Sequence, residues 1–195
     1  MKGPLAVLNL QGLLLLSDAA LPSVTGLVAG EPVRGSWWAH PLGQAMFNAA
    51  GALEDHPDVT TAKLVNGKVT FVHRRLWPAL VAVARSREDW QMDGLPAAAR
   101  RLLDRVEREG TLRTDQVPGA RDAARELEAR LLVHADEVHT DGGAHARVLE
   151  SWAAWGARVG LKGRRPSPAT ARAALESAVG KLAAASRSRA SLPWA

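Results

Sequence analysis

The segment 134–145 gathers His134, Asp136, Glu137, His139, Asp141 and His145, side-chain types that ligate metal ions. A metal needs three or four of them to converge. On a strand His134 and Asp136 face one way while Glu137 and His139 face the other. His139 and His145 meet only across a turn wider than two residues. The expectation is a polar, solvent-exposed hairpin with no metal and no cofactor. The string Gly35-Ser36-Trp37-Trp38-Ala39-His40-Pro41 offers a second kind of chemistry. Trp37 and Trp38 could stack an exposed base, and His40 could contact phosphate or act as a base. Ser36 and His40 could form a nucleophile pair, although spacing supplies no third residue to orient the imidazole. The packing alternative puts one tryptophan in the core and the other over a helix joint.

Cations supply the third kind. Lys63, Lys68, His73, Arg74 and Arg75 fall within thirteen residues that hold no acid, and Thr70 lies among them. Such a patch suits phosphate, which positions a nucleic acid without specifying its sequence. It also suits an edge strand protected from aggregation. Arg121 and Arg125 are four apart and share a helix face, with Arg130 off that face. They could reach phosphate or guanine. The interleaved Asp122, Glu126 and Glu128 point instead to an ion-paired solvated helix. Gln44 and Asn48, also four apart, could read bases or simply lie on the surface.

The whole chain of 195 residues has 47% hydrophobic and 23% charged residues, so it should fold. It holds no Cys and no Tyr, which excludes disulfides, thiolate metal sites, a thiol nucleophile and phenol chemistry. The net charge of +5 is unevenly placed. Residues 156–195 carry eight basic side chains against the single acid Glu176, a balance of +7, and the preceding 155 residues carry −2. Lys162, Arg164 and Arg165 make a basic linker within that segment. A basic tail on a near-neutral body points to a polyanionic partner or to a solubilising role. No stretch reaches the roughly 20 apolar residues of a bilayer span, so no membrane partner is expected. Lys2 before Leu5-Ala6-Val7-Leu8 has the look of an export signal. Asn9 and Gln11 interrupt it, so the segment reads as the first helix of a cytoplasmic protein.

Proline punctuates the elements that must position these residues. Pro22, Pro41, Pro78, Pro96, Pro118 and Pro168 each precede a run with helical apolar spacing, and Gly30 and Gly110 sit where helices should stop. The expected helices cover 4–17, 22–29, 41–55, 77–86, 96–109, 118–130 and 168–185, with 147–160 also helical. Asn66-Gly67 between alternating runs marks a hairpin over 60–72. A two-residue turn would pair Leu64 with Val69 and Ala62 with Phe71, all four facing the core. Lys63, Lys68 and Thr70 would then face water. A second hairpin is expected from Leu131 to Thr140, turning near Asp141-Gly142-Gly143. It returns through Ala144-His145-Ala146-Arg147. Ala171, Leu175, Ala178, Val179 and Leu182 form an apolar stripe on the last helix. That stripe must bury against the body or against a second copy of the chain. The end from Ser186 reads as disordered.

Three helices and then a hairpin occur twice. That order, the Asn66-Gly67 turn and the apolar phasing resemble the winged helix-turn-helix superfamily, in tandem, over roughly residues 4–75 and 95–150. The expected class is mostly α with two short β-hairpins (α+β). The expected units are 1–90 and 91–160, each a winged-helix module, and 161–195, a basic linker, helix and disordered tail. The resemblance implies that 41–55 and 118–130 are recognition helices and that the hairpins are wings. It points to a non-catalytic protein that binds duplex DNA through Lys63, Lys68, Thr70, His73, Arg74, Arg75, Arg121, Arg125, Lys162, Arg164 and Arg165. Winged helices also serve as protein–protein adaptors, the alternative that the −2 body favours. Gln91-Met92-Asp93 is similar to the Gln–apolar–Gln/Asp motif of bacterial alkyl-DNA glycosylases built of tandem winged helices. That similarity implies base excision by Gln91 and Asp93, although here the motif lies between the two units.

Overall fold

The computed structural model describes residues 2–139, 145–186 and 188–195, with backbone alone for His139 and His145. Helix starts follow local chemistry. Pro4 opens α1 (Pro4–Gln11), and Gly12, at φ 87°, closes it in the left-handed region that other residues avoid. Ser23 caps α2 (Val24–Ala29) by accepting from the Gly26 N–H at 3.2 Å. After a 3-10 turn at Trp37–Ala39, α3 covers Gly43–Glu54. The hairpin β2 (Val59–Val65) and β3 (Lys68–His73) follows, then α4 (Trp77–Ala84) and the short α5 (Asp89–Met92). The second half runs through α6 (Ala97–Glu109), a 3-10 turn at Thr114–Gln116 and α7 (Ala120–Ala129). It continues as β5 (His134–His139), β6 (His145–Glu150) and α8 (Trp152–Arg158). The last helix, α9, covers Pro168–Ser186.

Two short strands complete two antiparallel sheets: β1 (Leu13–Leu15) and β4 (Thr111–Arg113). The strand orders are β1-β3-β2 and β4-β6-β5. The expected first helix therefore ends six residues early. Leu13-Leu14-Leu15 is an apolar run without helical period, and all three side chains are buried. The expected helix over 147–160 also shrinks, because Arg147–Glu150 pair with β5 and extend the hairpin. The expected turn at 141–143 lies outside the described residues.

The first hairpin departs from its expected register. A bulge between Lys63 and Val65 sets Lys63 opposite Val69, Ala62 opposite Thr70 and Thr61 opposite Phe71. Leu64 and Phe71 are buried, whereas Ala62 and Val69 are only half-buried. Thr70 does not face water. It is fully buried, its hydroxyl accepts from the Val65 N–H at 3.1 Å and donates to the Lys68 carbonyl at 3.0 Å. That hydroxyl satisfies a donor the bulge leaves out of the ladder.

The first sheet is covered on both faces. Leu14, Val59 and Phe71 pack against Leu8, Val24, Ala50 and Leu53 of α1–α3. Leu13, Leu15, Leu64, Val65 and Val72 pack on the opposite side with Leu80 and Val83 of α4. In that same core lie Ala171, Leu175, Ala178, Val179 and Leu182 of α9. The stripe on the last helix is thus buried within the chain. Leu131, Trp152 and Trp155 of the second half join this core, and the second sheet has its own with α6 and α7.

The expected disorder after Ser186 gives way to docking over 188–195. Asn66, in the first hairpin turn at φ 54°, donates its N–H to the Ser191 carbonyl at 2.9 Å. Its side-chain oxygen accepts from the Ser191 N–H at 2.8 Å. Leu192 is buried, and Trp194 lies 5.6 Å from Trp90 with its indole N–H on Glu176. Polar composition in the tail concealed two apolar anchors that the hairpin turn and α9 receive. Trp194→Ala should lower stability by about 1–2 kcal/mol, below the cost for a fully buried ring. Urea unfolding measures this, and an unchanged midpoint would contradict docking of the tail.

Candidate nucleic-acid interface and the cleft between the sheets

Most cations of the expected first-wing patch are occupied within the chain. Lys68 Nζ lies 2.6 Å from Asp18 Oδ2 and Arg74 lies 2.7 Å from Asp58. Lys63 reaches across to Glu128 of α7 at 2.9 Å. Arg75 donates to the carbonyls of Asn9 and Leu10, capping the C-terminal end of α1 where cations are favoured. The His73 imidazole accepts from the Arg75 N–H, and burial together with the nearby Arg75 charge holds its pKa below the usual value. Burial raises the Asp18 carboxyl, but bonds from Lys68 and from the Leu21 and Ala20 N–H groups outweigh it and the net shift is downward. These bonds fasten the hairpin to β1 and α1. No spacing argument could reveal them, because Asp18 and Asp58 lie in loops.

The cations of α7 stand differently. Arg121 has no ion pair among the described residues, and Arg125 lies only 3.9 Å from the exposed Asp122. Such surface pairs contribute little. With Arg147 of β6, Arg121 and Arg125 line a hollow of about 330 Å³ that also holds Thr114, Asp115 and Glu137. Arg130 turns away to Glu126 and to the carbonyls of Gln91 and Asp93. Lys162, Arg164 and Arg165 are exposed and have no ion pair among the described residues. Arg165 lies close enough to Arg85 that burial and its charge lower the Arg85 pKa.

Gln91 has a structural duty. It is fully buried and forms a reciprocal cap with Glu88 at the start of α5. Its amide donates to the carbonyls of Ala84 and Arg130, both at 3.1 Å, tying α4 to the end of α7. Asp93 is exposed at the end of α5. Neither lines any of the four principal cavities among the described residues. Gln44 and Asn48 bond to each other at 2.9 Å. His40 Nδ1 accepts from the Leu42 N–H, and no hydrogen bond joins it to Ser36 among the described residues.

A cavity of about 680 Å³ lies between edge strand β2 and edge strand β5. On one wall Trp37 and Trp38 stack at 3.9 Å, and Trp38 lies 5.7 Å from Phe47. Trp38 is 64% exposed and Phe47 51%, so neither tryptophan of this pair is a core residue. Glu128, only 8% exposed, holds both Lys63 and Arg147 across the cleft. Glu54, Asp136 and Glu137 complete the rim. Burial and the neighbouring charges of Asp55, Asp136 and Glu137 raise the Glu54 pKa.

His134 sits behind that rim. Its Nε2 lies 3.0 Å from the Thr60 hydroxyl, the second link between the sheets. Its ring packs against both Trp152 and Trp155, each 5.5 Å away. Burial holds its pKa below the usual value against the opposing pull of Asp136 and Glu150. Its Nδ1 has no hydrogen-bond partner among the described residues and lies 3.8 Å from Asp136. The expected pairing of His134 and Asp136 on one strand face holds. No group of three metal-ligating side chains converges among the described residues. Asp141 and the His139 and His145 side chains lie outside that description. No helix described is long and apolar enough to cross a membrane. No protein-family model, curated protein or solved structure matches this chain.

Proposed function

We propose that the chain is a tandem winged-helix protein that binds duplex nucleic acid through its second unit. Element order supports the winged-helix reading. Helix α1, strand β1, helices α2 and α3 and the hairpin β2–β3 form a sheet ordered β1-β3-β2. Helix α6, strand β4, a 3-10 turn, α7 and the hairpin β5–β6 repeat the order as β4-β6-β5. In that plan α7 is the third helix of its unit, the element that enters a groove. The observation that carries the reading is the hollow lined by Arg121 and Arg125, neither of which is held by a close ion pair among the described residues. Arginine there can grip phosphate or guanine bidentately. The linker cations Lys162, Arg164 and Arg165 add phosphate contacts. The first wing is a structural brace, since its cations hold Asp18, Asp58, Glu128 and the end of α1.

Salt-dependent binding of a labelled duplex tests this. Each neutralised phosphate adds about −0.9 to the slope of log affinity against log salt. Replacing Arg121 and Arg125 together by Ala should flatten the slope by about two units and weaken binding to every sequence alike. Lys68→Ala should leave the slope unchanged. The reverse pattern would return the interface to the first wing. Absence of salt-dependent binding to any duplex at low ionic strength would remove nucleic acid from the function.

A further inference from the structure

We propose that the cleft between β2 and β5 is a separate docking site for an arginine side chain of a partner polypeptide, flanked by apolar residues. Three features of the cleft converge on that chemistry. Trp37 and Trp38, stacked face to face, leave Trp38 open to solvent beside Phe47. An exposed indole face attracts a planar guanidinium through its quadrupole. Glu54 and Asp136 line the same cleft, and neither carboxylate has a Lys or Arg ion pair among the described residues. Both can accept the charge-assisted bonds of a guanidinium, which would relieve the like-charge crowding at Glu54. His134, 3% exposed, lines the cleft with an unpartnered Nδ1. A buried polar atom without a partner is costly, and a donor entering beside Asp136 would complete it.

Charge decides the class of occupant. The two cleft cations, Lys63 and Arg147, are both held by Glu128, while the remaining rim is acidic. A phosphate seated against Trp38 would face that rim unfavourably, and a cation would be drawn to it. Extent decides the source. Leu42, between Trp38 and Phe47 in sequence and 42% exposed on the approach to α3, adds to the exposed apolar surface of this segment. A small free cation in the cleft would leave that shelf bare, whereas a peptide with apolar residues flanking its arginine would cover it. Among the exposed large apolar side chains of the described residues, these three neighbour one another in sequence, and Leu10 lies elsewhere on α1. The cleft shares Glu137 and Arg147 with the arginine hollow of α7. Of the two, Trp38, Glu54 and Asp136 line only the cleft and Arg121 and Arg125 only the hollow, so they can be removed separately.

Anisotropy of a labelled short peptide alternating arginine and leucine provides the test, with lysine–leucine and glutamate–leucine peptides alongside. The arginine peptide should bind in spite of the chain's net charge of +5. Trp38→Ala and the double change Glu54→Gln with Asp136→Asn should each weaken it about tenfold. Arg121→Ala should leave it unchanged. The lysine peptide should bind more weakly and the glutamate peptide not at all. Trp38, Glu54 and Asp136 all lie at the surface of the cleft, and an unchanged urea midpoint shows that these variants fold. Equal binding of the arginine and glutamate peptides, or no binding of either, overturns the proposal. So does a single-stranded oligonucleotide that binds in a Trp38-dependent manner while the peptide does not, which would make the shelf a base-stacking platform. Loss of duplex binding in the α7 variants with peptide binding intact would separate this site from the nucleic-acid reading.

Discussion

Trp155→Ala should lower the unfolding free energy by about 3–5 kcal/mol, the range for removing a fully buried large aromatic. Trp155 is 2% exposed and sits where three rings converge. Trp77 of α4 meets it edge-on at 5.1 Å, Trp152 at 5.4 Å and His134 at 5.5 Å. Trp77 belongs to the first half of the chain and the other rings to the second. The cavity left by alanine would therefore open at the junction, between elements that cannot easily collapse into it. Urea unfolding followed by circular dichroism measures the change. Trp38→Ala provides the contrast. Its ring is mostly in water, so its replacement should change stability by less than about 0.5 kcal/mol. Equal effects of the two substitutions would contradict the assignment of one tryptophan to the core and the other to a ligand shelf.

The second large effect is a pH dependence of stability centred on His134. Burial holds the folded-state pKa of this imidazole below its unfolded value. The unfolded chain therefore takes up the proton first as pH falls below about 6.5. Stability contributed by the neutral ring is complete above the unfolded pKa and declines as pH drops through and below it. The limiting slope for one proton is about 1.4 kcal/mol per pH unit. His73 shifts in the same direction and adds to the decline. His134→Gln removes the titration and keeps a polar nitrogen near the Thr60 hydroxyl. Between pH 7 and 5.5 the variant should lose less stability than the parent, and its midpoint should fall below the parent's at pH 7. Measuring above pH 5.5 keeps carboxylate titration out of the comparison. Parallel pH profiles for the two proteins would mean that His134 accepts its proton in the folded state without penalty.

Glu128 explains why stability and accessibility are joined in this cleft. One nearly buried carboxylate pairs Lys63 of the first sheet and Arg147 of the second. Removing a partner from such a triad leaves charges without compensation and is strongly destabilising. The same contact withholds both cations from any polyanion. The first hairpin and its flanks show the same arrangement through Lys68 with Asp18, and Arg74 with Asp58. A run of cations in sequence therefore records edge strands and loops being tied down.

What the sequence determined by itself was local. Proline at helix starts, glycine at helix ends, the Asn66-Gly67 turn and the stripe on α9 each act within a few residues, so their physics is visible in one dimension. The α+β class followed from their order. Long-range partners decided the rest. Leu13-Leu14-Leu15 became a strand because β3 offered it a ladder and both its faces were covered. Leu192 and Trp194 found sites on α9 and the first hairpin. A bulge at Leu64 reversed the exposure expected of Thr70. Whether a cation is free, a tryptophan exposed or a glutamine structural depends on what residues tens of positions away bring within a few ångströms. Only the folded chain, which set Lys63 against Glu128 and His134 against Thr60, decided that the cleft exists and which side chains line it.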